Sequence, residues 1–533
     1  MKKITLLMVS LMLFLASTAQ TNDDITRKGL AAITENVLKA QLTFLSSDWM
    51  EGRETGEKGE YMSADYIASM LQLFGALPAG DYAGGGPAAM TGTRGATRER
   101  TYFQNFQLLK ASPGEIQTMA VVSSTAAASR TTHFTYNVDY AFRNTAAGTE
   151  IDAPVIFVGY GIKNDKQNDF LKKDVRGKVI LRISGLPESM RNEAGVSAIV
   201  ASKDAAAREL GAIAVLEVNP ATTVLASGIE PRDFLEMSPS EGRPRSGRPS
   251  ASLSIPQQTI PVQPARINVS VRLANEILEA AGFTVADFAA ASGTKQLSAY
   301  PEITGKRIKL VSTVNTSLIN VRNVLGVIEG VKKDEFIVVG AHYDHMGIGN
   351  GYIWNGADDN GSGTVGILTL VKAVSETGVK PQKSIIFALW TAEEKGLLGS
   401  RYWVENPTVP LGNVKMHINF DMISRYIADD QPEAVTMTYT ASHPLFRQIT
   451  EKNISKFNIA IIPDYQPSDN PPGGSDHRSF VAKNIPIMRF KPGHREEYHT
   501  PADEIPTLDW DIMEKVVKIT FANMWELANT EWK

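Results

Sequence analysis

The chain has 533 residues, 43% of them hydrophobic and 21% charged, with a formal net charge of -4 and no cysteine. That length exceeds the ~250–300 residues at which single cores stop growing, so two domains are expected, and the composition excludes a disordered or fibrous chain. The small net charge without a long basic run argues against a nucleic-acid partner. The missing thiols exclude a disulfide framework and restrict any metal site to nitrogen and oxygen ligands.

At the N-terminus Lys2 and Lys3 precede an apolar run from Ile4 to Ala16, followed by Ser17-Thr18-Ala19. This reads as a signal peptide cleaved after Ala19, because the run is shorter than the ~20 residues a membrane span needs. Export to the periplasm or the medium is expected, with no membrane span in the mature chain. Leu38–Trp49 and Tyr61–Phe74 have helical periodicity. The polar turn between them, Gly52-Arg53-Glu54-Thr55-Gly56, reads by itself as a plain helix-to-helix loop. Leu77 to Arg100 is a long Gly/Ala/Thr-rich loop, a kind that is functional or mobile in compact domains. From about Val121 short strands follow, Val155–Val158 and Val179–Ile183, then a helix Ser202–Leu210 and a strand Ala212–Val218. Ser238 to Ser252 reads as a surface loop. Ile260–Val271 and the helical Leu273–Ala281 close this β-rich unit near residue 300.

Ser317–Glu329 reads as a strand pair. The apolar runs Phe336–Ala341 and Ile385–Trp390 have the length and β-branched content of buried strands. The first stops at His342 and Asp344, the second at Glu393 and Glu394. Between them Asp358 and Asp359 lie in a Gly/Asn loop that leads into a helix-like run, Thr364–Val374. Val414–Asp421 is a strand ending on an acid. Ile485–Phe490 is another, preceded by Gly473-Gly474-Ser475-Asp476-His477 and followed by Tyr498-His499-Thr500, and Leu508–Leu527 is an amphipathic helix assigned to packing. Alternating strands and helices give an α/β class with a mixed, mostly parallel central sheet and helices on both faces. In such sheets ligands bind outside the carboxyl ends of the strands.

That edge gathers His342, Glu393, Glu394, Asp421 and, after a loop, His499, with Asp359 at a helix entry. Two histidines and several carboxylates on one edge suit a metal site in which one carboxylate bridges two ions about 3.5–4 Å apart. Zn²⁺, held by imidazole nitrogen and carboxylate oxygen at about 2.0–2.2 Å, fits this donor set. Singly, a strand-end Asp is usually a cap and a lone His a hydrogen-bonded structural group. Together they are hard to explain as structure, since burying several carboxylates without cations is strongly unfavourable. Among their neighbours, Asp358 reads as a water-exposed loop carboxylate, His345 as a rim residue and His417 as a packed histidine.

The motifs His342-Tyr343-Asp344, Gly356-Ala357-Asp358-Asp359-Asn360-Gly361-Ser362-Gly363, Glu393-Glu394-Lys395-Gly396, Asn419-Phe420-Asp421-Met422 and Tyr498-His499-Thr500 carry a resemblance. They are similar to those of the co-catalytic two-zinc aminopeptidases, a family that includes bacterial leucyl aminopeptidases. More distant members are the glutamate carboxypeptidases, the glutaminyl cyclases and the transferrin receptor ectodomain. The resemblance implies a zinc exopeptidase fold over residues 20–125 and 305–533, after a signal peptide at 1–19. It also implies a smaller β-rich protease-associated domain inserted at 126–304, carried by the VGYGI and RGKVILRI motifs. The turn at Gly52–Gly56 is similar to one near the start of family members.

Carried over by position, Asp359 is the bridging carboxylate, His342 and Asp421 complete one Zn²⁺ site, and Glu394 and His499 complete the other; Co²⁺ or Mn²⁺ would be substitutes. Glu393 is the general base, Asp344 orients His342 by accepting its other ring proton, and Tyr498 helps bind the oxyanion. Ser475, Asp476 and His477 match a loop near the substrate pocket. The implied activity is that of an exported aminopeptidase acting on peptides. Three other readings stay open. A carboxypeptidase or dipeptidase on the same metals would use a basic pocket, for which Arg489, Lys491 and Arg495 are at hand. The others are a glutaminyl cyclase-like transferase and a non-catalytic receptor-like binding protein. The sequence carries no reading of oligomeric state.

Overall fold

The computed structural model describes residues 21–83, 99–142, 148–190, 196–221, 251–256, 264–291, 300–349, 351–428, 430–491, 493 and 497–532. The signal-peptide segment, most of the loop after Leu77, nearly all of the loop ending at Ser252 and Arg495 lie outside the described residues.

Three helices open the fold: α1 (Asn22–Ala31), α2 (Glu35–Leu45) and α3 (Lys58–Leu73). Thr21 and Thr34 cap the first two, each accepting a backbone N–H with its side chain, which satisfies donors the first helical turn leaves free. Two very long strands follow at a distance in sequence, β1 (Phe103–Ser124) and β6 (Lys306–Ile328), paired antiparallel along most of their length. Between them run β2 (Thr149–Phe157), β3 (Val179–Ile183), β4 (Ala214–Val218) and β5 (Ala265–Val269). β2 joins the sheet on β6, and β2 to β5 are mutually parallel.

Ser317–Glu329 is not a strand pair but the second half of the single strand β6. The polar residues that suggest a break are satisfied in place: Asn323 donates to Gln104 and to the Gly399 carbonyl, and Arg322 to Asp65 and the Tyr61 carbonyl. The strand therefore continues through them.

Downstream come β7 (Lys332–His342), α4 (Gly363–Thr377), β8 (Lys383–Trp390), β9 (Val414–Phe420), β10 (Ala434–Tyr439), β11 (Ile462–Pro467), β12 (Ile487–Lys491) and α5 (Trp510–Asn529). In space the order is β11-β10-β12-β9-β7-β8-β6. The pairs β12/β9, β9/β7 and β7/β8 are parallel, while β8/β6 and β10/β12 are antiparallel. Both faces of this sheet are covered. Along β8, Ile385, Phe387 and Leu389 enter one core with α4 and α5, and Ile386, Ala388 and Trp390 enter another with Trp403 and Phe480. This explains why the strand reads as an unbroken apolar run. A further core, from Met119 through Leu181 and Leu216 to Leu310, fills the unit between β1 and β6. No helix among the described residues is long and apolar enough to cross a membrane.

Candidate metal centre

The parallel registers bring the critical strand ends together. His342 stands opposite Trp390, and Ala341 opposite Phe420, so β7, β8 and β9 deliver His342, the Glu393-Glu394 pair and Asp421 to one edge. Asp359 arrives from the segment preceding α4, where the backbone at Asp359 and Asn360 leaves helical geometry. His499, with a left-handed φ of 55°, comes from the loop beyond β12.

His342 Nε2 lies 3.5 Å from Asp359 Oδ1, 3.8 Å from Asp421 Oδ1 and 3.9 Å from Glu393 Oε2. His499 Nε2 lies 3.0 Å from the other Asp359 oxygen, Oδ2, and 3.2 Å from Glu394 Oε2. The two oxygens of Asp359 thus face two separate sets of donors. His342, Glu393 and Asp421 offer ligand atoms within 4.8 Å of one another, as do His345, Asp359 and Glu394. Of the two histidines near Glu394, His499 is the better placed to share a cation with Asp359, because His345 Nδ1 is 3.9 Å from Asp359 Oδ2.

The local electrostatics fit cations. Burial alone would lower the imidazoles, yet Glu393, Asp421 and Asp359 hold His342 well above its usual value, and Glu394 and Asp359 hold His499 at about 10. Burial works to raise Glu394, but His499 and His345 pull it well below the usual range. Burial holds the Glu393 carboxyl well above the ordinary range, opposed by His342 and reinforced by Glu394. His345 Nε2 is buried without a hydrogen-bond partner. Four buried acids gathered around two imidazoles make a donor set that divalent cations suit.

Around this set the structure revises four expectations. The Asp344 carboxylate is 3.8 Å from His342 Nδ1, which instead lies 3.2 Å from the Asp344 backbone carbonyl. The carboxylate accepts the N–H groups of Glu393 and Glu394 and the Thr55 hydroxyl, so it orients the two glutamates rather than the imidazole. Asp358 is not water-exposed: it is 1% accessible, accepts from Ser362 and Ser424, and faces Arg425 Nε at 3.3 Å. Three residues past a strand end need not reach the rim, and His345 is fully buried with Nδ1 at 2.9 Å from Glu394 Oε1. Of Ser475, Asp476 and His477, only Ser475 lines the cavity, because the short helix starting at His477 turns the other two inward. His417 is packed as expected, stacked on Phe480 at 3.7 Å.

Two supporting groups escape sequence reasoning. Arg53, in the Gly52–Gly56 turn, is 1% exposed and donates to the carbonyls of Tyr343, Leu45, Asn355 and Gly356. Asp503, four residues after His499, accepts the N–H groups of Asp358 and Asp359 at 2.9 Å each. An acid that grips backbone has no local sequence pattern. Its spacing from His499 is the one signal available.

A cavity of about 740 Å³ opens on this edge, lined by His342, Asp359, Glu393, Glu394, Asp421 and His499 together with Tyr498 and residues of β10 and β12. The Tyr498 ring stacks on His499 with centroids 3.9 Å apart.

Residues 323–524 match the model of peptidase family M28. Leucine aminopeptidase 2 of Arthroderma otae is 36% identical over 170 residues, covering 31% of this chain and 32% of that protein. Leupeptin-inactivating enzyme 1 of Streptomyces exfoliatus is 34% identical over 171 residues, 31% of this chain and 34% of its own. The match thus spans about a third of the length of these relatives. An aminopeptidase from Aneurinibacillus sp. has the same fold, with a TM-score of 0.59 over 95% of this chain and 97% of that one at 17% identity. A zinc aminopeptidase from Bacillus subtilis gives 0.52 over 94% and 97% at 18% identity. Every group facing Asp359 falls inside residues 323–524, the span that matches the model of peptidase family M28.

Proposed function

We propose that the protein is an exported aminopeptidase that holds two zinc ions and hydrolyses the N-terminal peptide bond of its substrates. The observation that carries this reading is Asp359, whose two oxygens face His342 with Asp421 on one side and His499 with Glu394 on the other. Those five residues would hold the pair, and Co²⁺ or Mn²⁺ would suit the same oxygen and nitrogen donors. When bound, such ions polarise a scissile carbonyl and acidify a water toward a pKa of about 7. Nearby positive charge also favours the ionised form of Glu393 against its burial. Glu393 then takes the proton of the attacking water and returns it to the leaving amine. Its backbone N–H, held by Asp344, fixes where that carboxylate points. Tyr498, on the cavity wall, donates to the oxyanion that develops on the substrate.

The relatives named leucine aminopeptidase support the exopeptidase reading, and the basic, apolar and small-residue order of the N-terminus supports export. We assign 20–125 and 305–533 to the catalytic domain and 126–304 to an inserted protease-associated domain, a division that the separate core between β1 and β6 supports. A dipeptidase or carboxypeptidase reading retains one specific support, the presence of Arg489 and Lys491 on the cavity wall.

The test separates metal from base. Glu393→Gln is expected to keep zinc by elemental analysis and lose at least about 100-fold in turnover of an aminoacyl arylamide. Glu394→Ala and Asp359→Ala are expected to lose zinc. Substantial hydrolysis by Glu393→Gln would refute the base, and cleavage of N-blocked peptides at internal bonds would refute the aminopeptidase.

A further inference from the structure

The cavity wall away from the strand ends is cationic. Arg489 and Lys491 are two residues apart on β12 and therefore share a face, while Met488 and Phe490 enter the core on the other. Opposite them on β10 stand Thr438 and Thr436. Arg489, Lys491 and Thr436 line the cavity with the glycines Gly473 and Gly474, and Leu397 is the large apolar side chain that joins them. A pocket shaped for an aliphatic side chain would be lined mainly by hydrophobic groups.

Among the described residues, no carboxylate lies within ion-pair distance of either cation. Arg489 is anchored by a neutral group instead: its Nη1 donates to His477 Nδ1 at 3.3 Å. Burial, reinforced by Arg489 itself, holds His477 at about 3, so the imidazole accepts without adding or cancelling charge. Arg489 Nε is buried without a partner. Its two Nη atoms sit 3.4 and 3.6 Å from where a side chain on Gly473 would begin, so glycine there leaves the guanidinium uncovered. The carboxylate that acts on both cations from beyond that distance is Asp421, which the proposed metal centre already claims; a buried guanidinium left without a direct partner is costly, and a carboxylate matches its fork with two parallel hydrogen bonds.

We infer that Arg489 and Lys491 form a carboxylate-binding subsite, so that the substrate carries a negative charge beside the bond that is cleaved. The charge is the side chain of an N-terminal Asp or Glu, or the terminal carboxylate of a dipeptide. The peptide nature of the substrate rests on the peptidase reading above; the charge selectivity rests on the cavity wall.

Glutamyl and glutaminyl p-nitroanilides are nearly isosteric and differ in charge. The zinc-loaded wild-type protein is expected to favour the glutamyl compound at least about tenfold in kcat/KM. Arg489→Gln and Lys491→Gln should each draw that ratio toward one. Leu-Leu against its C-terminal amide reads the other source: an equal preference for the free acid, lost in the same variants, assigns the site to the terminal carboxylate. Calorimetric titration with free L-glutamate and L-glutamine separates the subsite from the activity. A protein that hydrolyses nothing but binds glutamate at least about tenfold more tightly, through Arg489, keeps the subsite and loses the peptidase. A wild-type protein with no preference for the acid in either substrate pair or in the titration overturns the subsite, and that comparison requires no variant to fold.

Discussion

Glu394 is gripped from two sides, by His499 Nε2 at 3.2 Å and by His345 Nδ1 at 2.9 Å. The second contact fixes which carboxylate oxygen remains for a cation, since Oε1 is engaged by His345 and Oε2 faces His499. Partners that orient a ligand are typically worth 10–100-fold in metal affinity. His345→Ala is therefore expected to weaken zinc binding by about that factor in a competition titration with a chromophoric chelator, with turnover recovering as zinc is raised to saturation. Unchanged affinity would show that His345 merely fills space. The same logic separates neighbours that look alike in sequence. Of the adjacent acids Asp358 and Asp359, the first turns its oxygens to Ser362, Ser424 and Arg425, and the second turns its own to the imidazoles of His342 and His499.

At the scale of elements, the edge works because three parallel strands end level and one turn ties the exit of the central strand, β7, to the segments beside it. Arg53 does the tying, with its guanidinium reaching carbonyls that belong to the end of α2, the exit of β7 and the approach to α4. Burial draws it down to about 10, so it stays charged at neutral pH. Lys at this position has the charge but not the fork, and leaves buried carbonyls unpaired. Arg53→Lys is expected to lose about 3 kcal/mol or more of stability in urea unfolding, and a loss below about 1 kcal/mol would refute the tie. The strands were legible because each is apolar and β-branched: Phe336–Ala341 lies within β7 and Ile385–Trp390 within β8. The helix at Thr364–Val374 is likewise contained in α4. The edge residues were legible because acids and histidines interrupt those patterns. Arg53, Asp503 and His345 were not, because each acts on backbone or a neighbour distant in sequence, and periodicity says nothing about such contacts. The unity of β6 was hidden for the same reason, since Arg322 and Asn323 find their partners on other elements.

Across the whole molecule, β1 and β6 run through both units: Phe103 and Val324 belong with the core beneath the site, while Met119, Val121, Ile308 and Leu310 belong to the other. The site's charge is therefore felt as global stability. In chelated protein Glu394 and Asp359 hold His499 at about 10 against its burial, and His342 is also held high; an unfolded imidazole titrates near 6.5. A group raised on folding gives its full stabilisation below its unfolded value and loses it as pH climbs to its folded one. The chelated protein thus loses up to ~1.4 kcal/mol per pH unit from His499 between about 6.5 and 10. Glu60, raised to about 8 mainly by burial and opposed by Thr391, has the same sign between about 4.5 and 8. It is no ligand, so it acts in both forms and cancels from their difference. Zinc takes the neutral imidazole, and its affinity rises as protons leave. The gap in Tm between zinc-loaded and chelated protein should therefore widen from pH 6 to pH 9 in scanning calorimetry, with the chelated form falling. A gap that stays constant or narrows would show that His342 and His499 do not exchange protons for metal, and the shared-carboxylate centre would fall with them.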